Sequence, residues 1–336
     1  MNLDGYALPV KKLKGTDPVK TLDLSGKYLG VASAVVIASL ISVNGGLNKI
    51  SLAKNKLGEE GIKAICEALE QNKTLKELDI SGDMFGNSNI GGTAGVKHVA
   101  KMLGVNGALT KLSLAKNKLW EEGTKFLCDA LVGNNTLKEL DLSGDSSFGR
   151  SGSNIGGTAG AKHVANMLLV NGGLTIIGLS GNQLCGIWID HEGDQQGTYT
   201  AEGITAIADA LRVNGGLTRV DVRNNNIAGD GAEQLAAAVL GNLKIEMFNE
   251  IPIKEMRANS LTELDLNGKD FGVEGGMVVA GLIPVMGGLT SLDLSNNALC
   301  GVVQDPFGRI SDTYTAEGLS AIMDSLRVNG ALTKIE

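Results

Sequence analysis

The stretch LTKLSLAKNKLWEEGTKFLCDALVGNN, residues 109–135, decides how the rest of the chain reads. Leu109, Leu112 and Leu114 are spaced L-x-x-L-x-L, so the last two alternate as a half-buried strand requires, while Leu109 turns in at its start. Asn117 and Leu119 extend the pattern to L-x-x-L-x-L-x-x-N-x-L, and an Asn buried there can give its amide to the backbone of a chain turning out of a strand. Glu121 and Glu122 then fall in the first turn of a helix, where they favour its dipole. Thr124, Leu127, Cys128 and Leu131 form one apolar helical face, and Asn134 and Asn135 close the helix with residues that tolerate turns. A unit of one strand, one turn and one helix cannot bury this face alone, so it must recur.

It recurs along nearly the whole chain. The first apolar strand positions are Val19, Leu47, Leu75, Leu109, Leu137, Leu174, Leu217, Leu240, Leu261, Leu289 and Leu332. The intervals are 28, 28, 34, 28, 37, 43, 23, 21, 28 and 43 residues, so the long ones are 28 plus an insertion. This strand signature, followed by helices of the form G-x-x-x-[ILV]-[AC]-x-x-L-x-x-N, resembles the leucine-rich repeats of the ribonuclease-inhibitor-like subclass, over residues 19–336 and in eleven registers. The resemblance implies an α/β solenoid of about eleven repeats: a horseshoe with a parallel β-sheet on the concave face and helices on the convex face.

Residues 1–18 are expected to form a shortened repeat or cap, because Leu8-Pro9-Val10-Lys11-Lys12-Leu13 resembles Ile251-Pro252-Ile253-Lys254-Glu255-Met256 and both precede a strand of the form x-L-D-L-x-G-K. Residues 19–336 form the repeat domain. Within it, 47–108 match 109–173 and 174–216 match 289–331, so pairs of repeats were copied. The repeats near 240–260 are short and contain Pro252, which predicts an extended or single-turn return and a change of curvature. The last strand, from Leu332, has no cap after it; either the array continues or this edge meets a partner or another copy.

Composition limits the function. With 43% apolar residues, 4% aromatics and 47 glycines, the core is built from Leu, Ile, Val and Ala. No run of 18 apolar residues predicts a membrane span, and the first residues carry no secretory signal pattern. A net charge of −7 argues against nucleic acid or an anionic membrane as partner. Cys66 and Cys128 hold one helical position in two copies, and Cys185 and Cys300 another; they read as free thiols in a reducing, cytoplasmic setting.

Candidate binding residues fall in two groups. Between the second and third apolar strand positions stand Asp79, Asp141, Asp221, Asp265 and Asp293, a row on the concave face. Two residues earlier, Lys49, Glu77, Lys111 and Glu139 should alternate in sign across adjacent strands. Insertions at 83–92, 145–157, 186–200 and 301–315 all follow a strand and precede a helix, which puts them on one rim, and rim loops of solenoids commonly bind. Nine of the twelve aromatics lie in such post-strand segments. Trp120, Trp188, Tyr199, Phe307 and Tyr314 are the partner-binding candidates; Trp120 leads because Gly58 stands in its place in the neighbouring copy. Asp190, His191, Glu192 and Asp194 resemble a metal cluster, but the duplicate loop keeps only Asp305, which favours polar decoration. No metal or cofactor is expected. The Gly-rich SNIGGTAG is not a phosphate-binding loop, and no nucleophile stands beside a His in a catalytic motif.

The expected function is a non-catalytic protein-interaction scaffold that binds an unidentified protein partner through rim insertions and concave sheet. Two alternatives stand beside it. The repeat resemblance implies the GTPase-activating activity of Ran-type activators, although no long acidic tail follows the array; an architectural protein would assemble through the C-terminal edge.

Overall fold

The computed structural model describes residues 1–83, 87–145, 152–190, 194–301 and 314–336. A hairpin, β1 (Asn2–Leu3) and β2 (Tyr6–Ala7), and a short helix, α1 (Val10–Lys14), come before the repeats. The strands that follow are β3 (Thr21–Asp23), β4 (Lys49–Ser51), β5 (Glu77–Asp79), β6 (Lys111–Ser113), β7 (Glu139–Asp141) and β8 (Ile176–Gly178), then an antiparallel hairpin of β9 (Ile187–Ile189) and β10 (Gln195–Gly197). After it come β11 (Arg219–Asp221), β12 (Met247–Phe248), β13 (Glu263–Asp265), β14 (Ser291–Asp293) and β15 (Lys334–Ile335). The helices are α2 (Val31–Ile41), α3 (Gly58–Glu70), α4 (Thr93–Leu103), α5 (Trp120–Leu131), α6 (Gly157–Leu168), α7 (Glu202–Val213), α8 (Gly229–Gly241), α9 (Ile253–Arg257), α10 (Gly272–Leu282) and α11 (Glu317–Leu326).

Strands β3 to β8, β11 and β12 make one eight-stranded parallel sheet in a constant register: Lys49 lies opposite Glu77, Ile50 opposite Leu78, Ser51 opposite Asp79. The repeat thus behaves as its spacing predicts. Leu112, Leu114 and Leu119 are buried, as are Leu127, Cys128 and Leu131 on the inner face of α5. Strands in a sheet sit about 4.8 Å apart whereas packed helices need about 8–10 Å, so a layer of each cannot stay flat; the array curves with the sheet inside.

Two lines of buried asparagines hold successive repeats together. In the first, Asn117 donates through Nδ2 to the carbonyls of Ile80 (2.9 Å), Leu114 and Ala115 (both 3.2 Å), while its Oδ1 accepts from the Asn89 amide at 2.8 Å. The Asn117 amide in turn donates to Asn154 Oδ1, that of Asn154 to Asn182, and that of Asn182 to Asn225, at 2.9, 2.8 and 2.7 Å. The result is a head-to-tail relay running across the strand ends. In the second line, Asn72, Asn106, Asn134, Asn171, Asn214 and Asn242 reach back to the carbonyl ends of the preceding helix. Asn134 is therefore more than a turn former: its Nδ2 binds the Leu103 carbonyl and its Oδ1 the amides of Thr136 and Leu137.

Both lines are interrupted at one place, where the sheet also breaks, and Asn297 and Asn329 resume them beyond it. β12 and β13 do not pair, and β13, β14 and β15 form a separate three-stranded sheet. The sequence spacing puts a strand start at Leu240, with Asn242 and Lys244 facing outward; the structure corrects this. Leu240 belongs to α8, Asn242 is the buried residue that follows it, and Met247 lies opposite Arg219, so Ile245 is the apolar residue that begins the strand. The repeat from Leu217 is thus full length, and only the next one is short, returning through the five residues of α9.

Local substitutes close this junction. Arg257 takes the place of the missing helix-end asparagine, its guanidinium donating to the carbonyls of Ile245, Val239, Leu240 and Asn242 at 2.9–3.3 Å. Asn249 accepts from the Val222 amide and donates to the buried carboxyl of Glu274 at 3.1 Å. On the convex side α8 packs directly on α10, and Gly281 leaves room there for Leu240.

Removing the Asn117 amide orphans several buried backbone groups at about 1–3 kcal/mol each, so Asn117→Ala should cost about 3 kcal/mol or more in urea unfolding, whereas exposed Asn267→Ala should cost under about 1 kcal/mol. Burial pushes the Glu274 carboxyl up from its usual value near 4.5 to about 8. The folded chain then holds a proton that the unfolded chain releases, so Glu274 stabilises fully below pH 4.5 and progressively less up to about pH 8. Thermal unfolding of Glu274→Gln should lose this decline across that window while wild type keeps it.

Candidate functional site

The concave face begins with charges that cancel locally. Lys49 pairs with Glu77 at 3.0 Å and Lys111 with Glu139 at 2.5 Å, as sign alternation across adjacent strands requires. These exposed pairs contribute little to stability, but they leave this stretch of the sheet face locally neutral.

The aspartate row is uneven. Asp79 Oδ1 accepts from the amide and hydroxyl of Ser81 at 3.1 and 2.8 Å, and its Oδ2 from the Ser51 hydroxyl at 3.0 Å. Asp141 repeats this with Ser143 and Ser113, and both oxygens of Asp221 take the Arg223 guanidinium at 2.9 and 2.7 Å. These three carboxylates turn the chain out of its strand and are internally satisfied. Asp265 and Asp293 keep more acceptor capacity. Each takes the amide two residues on, at 2.9 Å, through Oδ1 alone, and the Ser295 hydroxyl holds the Asp293 carboxyl below the usual carboxylate range.

On the rim, Trp120 is 50% exposed and has a φ of +55°, in the left-handed region. Gly58, Gly92, Gly157 and Gly272 hold the same position, three residues before a helix glycine as Trp120 is before Gly123, at φ of +65°, +65°, +63° and +68°. Trp188 is half-buried in the β9–β10 hairpin with its ring against Gly197. The Tyr199 hydroxyl donates to the Ala228 carbonyl at 2.5 Å, and Tyr314 is 69% exposed. Phe307 lies outside the described residues, as do Phe85 and Phe148. Phe271 fills the buried slot that Leu57 and Leu119 occupy in other repeats.

Within the insertions, Asn89 and Asn154 are buried members of the first asparagine line, so the inserted residues precede them in sequence. Asp190 accepts from the Asp194 amide and the Gln196 side chain, which ties the hairpin; His191 and Glu192 lie outside the described residues. Among the described residues no group of three or more His, Cys, Asp or Glu is placed to hold a metal, and no helix is long and apolar enough to cross a membrane. Burial pushes the Cys128 and Cys185 thiols up to about 12, which leaves them protonated and poor nucleophiles. Sequence reasoning missed Phe126, which is 41% exposed on α5 with the Lys97 ammonium 4.7 Å from its ring centre. The signal was there, because Phe126 replaces Ala64 of the copied helix.

Residues 217–236 match the Leucine Rich repeat family, and residues 288–310 match a second Leucine Rich Repeat pattern. Ribonuclease inhibitor from Sus scrofa is 34% identical over 136 residues, 40% of this chain and 27% of that protein. Leucine-rich repeat-containing protein 45 from Gallus gallus is 32% identical over 123 residues, 36% of this chain and 18% of the relative. NACHT, LRR and PYD domains-containing protein 13 from Homo sapiens is 33% identical over 168 residues, 49% and 15% of the two chains. The matched segments thus span little more than a quarter of these relatives at most. The constant strand register, the asparagine lines and these matches together give the fold as a leucine-rich-repeat solenoid whose repeats are similar to those of ribonuclease inhibitor.

Proposed function

We propose that the chain is a non-catalytic scaffold that recognises a protein partner through its rim, with Trp120 as the anchor, and through the polar sheet face beside it. The observation that carries this reading is the backbone of Trp120. A bulky residue in the left-handed region costs about 1 kcal/mol, and four other repeats meet the same need with glycine. The fold requires that backbone conformation and gains little from a half-exposed indole. A rigidly held, exposed Trp is the side chain that most often dominates a protein interface.

Trp188, Tyr199 and Tyr314 extend the aromatic character along the rim, and Phe307 belongs with them by sequence position. On the sheet, Asp265 and Asp293 supply the unfilled acceptors, while Asp79, Asp141 and Asp221 shape the strand ends. The porcine relative carries the name of an inhibitor of a ribonuclease, a protein-binding role, and the same use of the repeat surface is proposed here.

Trp120→Gly separates recognition from folding. Its stability should equal or exceed that of wild type, by up to about 1 kcal/mol in urea unfolding, while a partner captured by wild type from its source extract should be lost. Leu112→Ala, in the core, should instead cost about 2–5 kcal/mol. Equal losses of stability in the two variants would sink the anchor assignment.

A further inference from the structure

The junction in the sheet leaves an open strand edge in the interior of the array. The two sides of the break differ. The outer edge of β12 is closed by its own chain: Phe248 and Ile251 exchange backbone hydrogen bonds at 3.2 and 2.7 Å, and the Lys254 amide donates to the Glu246 carbonyl at 3.0 Å. β13 has no such cover. In the other repeat strands that follow a repeat, the first residue donates its amide back to that repeat, as Lys49 does to Lys20, Met247 to Thr218 and Ser291 to Thr262. The Glu263 amide has no such acceptor among the described residues, and β13 pairs only with β14.

Exposure gives the same result independently. The central strand residues Ile50, Leu78, Leu112, Leu140, Ile177, Val220 and Leu292 are at most 1% exposed, whereas Leu264 is 6% exposed and Leu22, on the terminal strand β3, is 9%. Glu263 and Asp265 are exposed, as Thr21 and Asp23 are on β3. An internal strand therefore has the surface of a terminal one.

The charges around it are selective. The cations nearby are engaged: Arg223 with Asp221 and Glu250, Lys269 with Glu250, Lys254 with Glu246, and Arg257 with backbone carbonyls. Among the described residues Glu263 and Asp265 form no ion pair, and Lys334 on β15 is taken by Glu336. We propose that the free edge of β13 binds an extended segment of a partner protein by strand addition, with basic residues at alternate positions facing Glu263 and Asp265. Backbone pairing supplies the hold and the period-two charge match sets the register. β13 lies several repeats from Trp120, so Trp120→Gly leaves this binding unchanged; Asp265 also belongs to the proposed recognition surface, and Glu263→Pro, which keeps Asp265 and Trp120 in place, tests strand addition by itself.

The probe is a labelled seven-residue peptide of alternating Lys and Val, titrated against the full chain by fluorescence anisotropy, with hydrogen exchange read at individual amides. Without peptide, the Glu263 and Asp265 amides should exchange as fast as those of Thr21 and Asp23; the peptide should slow them. Glu263→Pro removes one outward donor and spares the β13–β14 pairing, so it should weaken binding by about tenfold or more with an unchanged thermal midpoint. Equal affinity for a peptide of the same charge N-methylated at its pairing amides would reduce the contact to electrostatic attraction and overturn strand addition. Equal affinity for the Glu-Val counterpart would overturn the basic occupant. Protection of these amides that depends on protein concentration alone would assign the edge to a second copy, and overturns the proposal equally.

Discussion

The asparagine amide is the group on which this architecture depends. A chain that leaves a strand, turns and enters a helix exposes backbone donors and acceptors at both bends, and stacking the repeats buries them out of reach of water. An amide side chain offers two donors and a two-lone-pair acceptor on one short stem, which is the inventory those bends require. In the line through Asn117 each residue completes the turn of its neighbour as well as its own, so repeats are joined by directional bonds in addition to apolar contact. The leucines could slide along one another; the asparagines cannot.

The same constraint explains the junction near residue 250. With only α9 as a return, the chain supplies no asparagine at the right height there, and a single arginine satisfies four carbonyls in its place. Burying that cation is tolerable because every bond it makes ends on an oxygen, although desolvation lowers its pKa. Helix packing carries continuity across the break, and Gly281 permits the approach. The sheet does not cross it.

Much of this was legible in the sequence. Leu112, Leu114, Asn117 and Leu119 announce the repeat because strand, turn and slot each demand one residue type at one spacing. The register failed at Leu240, where Leu240, Leu243 and Ile245 are all apolar and spacing alone cannot choose among them; the helix that absorbs Leu240 is set by tertiary packing. Asn89 and Asn154 were hidden for a different reason, since an insertion of variable length separates each from its strand. Trp120 was singled out by comparison with Gly58, but its left-handed backbone is a property of three dimensions. The aspartates looked alike as letters. Only the neighbouring Ser51, Ser113 and Arg223 distinguish those already satisfied from those still open.

The break in the sheet also governs how the molecule deforms. In a linear array each repeat is coupled only to its neighbours, so the stiffness of the whole is limited by its weakest contact. Between β12 and β13 that contact consists of a helix pair and a few side-chain bonds with no strand ladder. Bending there opens or closes the inner face without stretching a ladder hydrogen bond, whereas bending elsewhere must stretch several. The solenoid is thus two stiff arcs joined by a compliant joint, and the spacing between the surfaces on either side of Asn249 is its softest dimension.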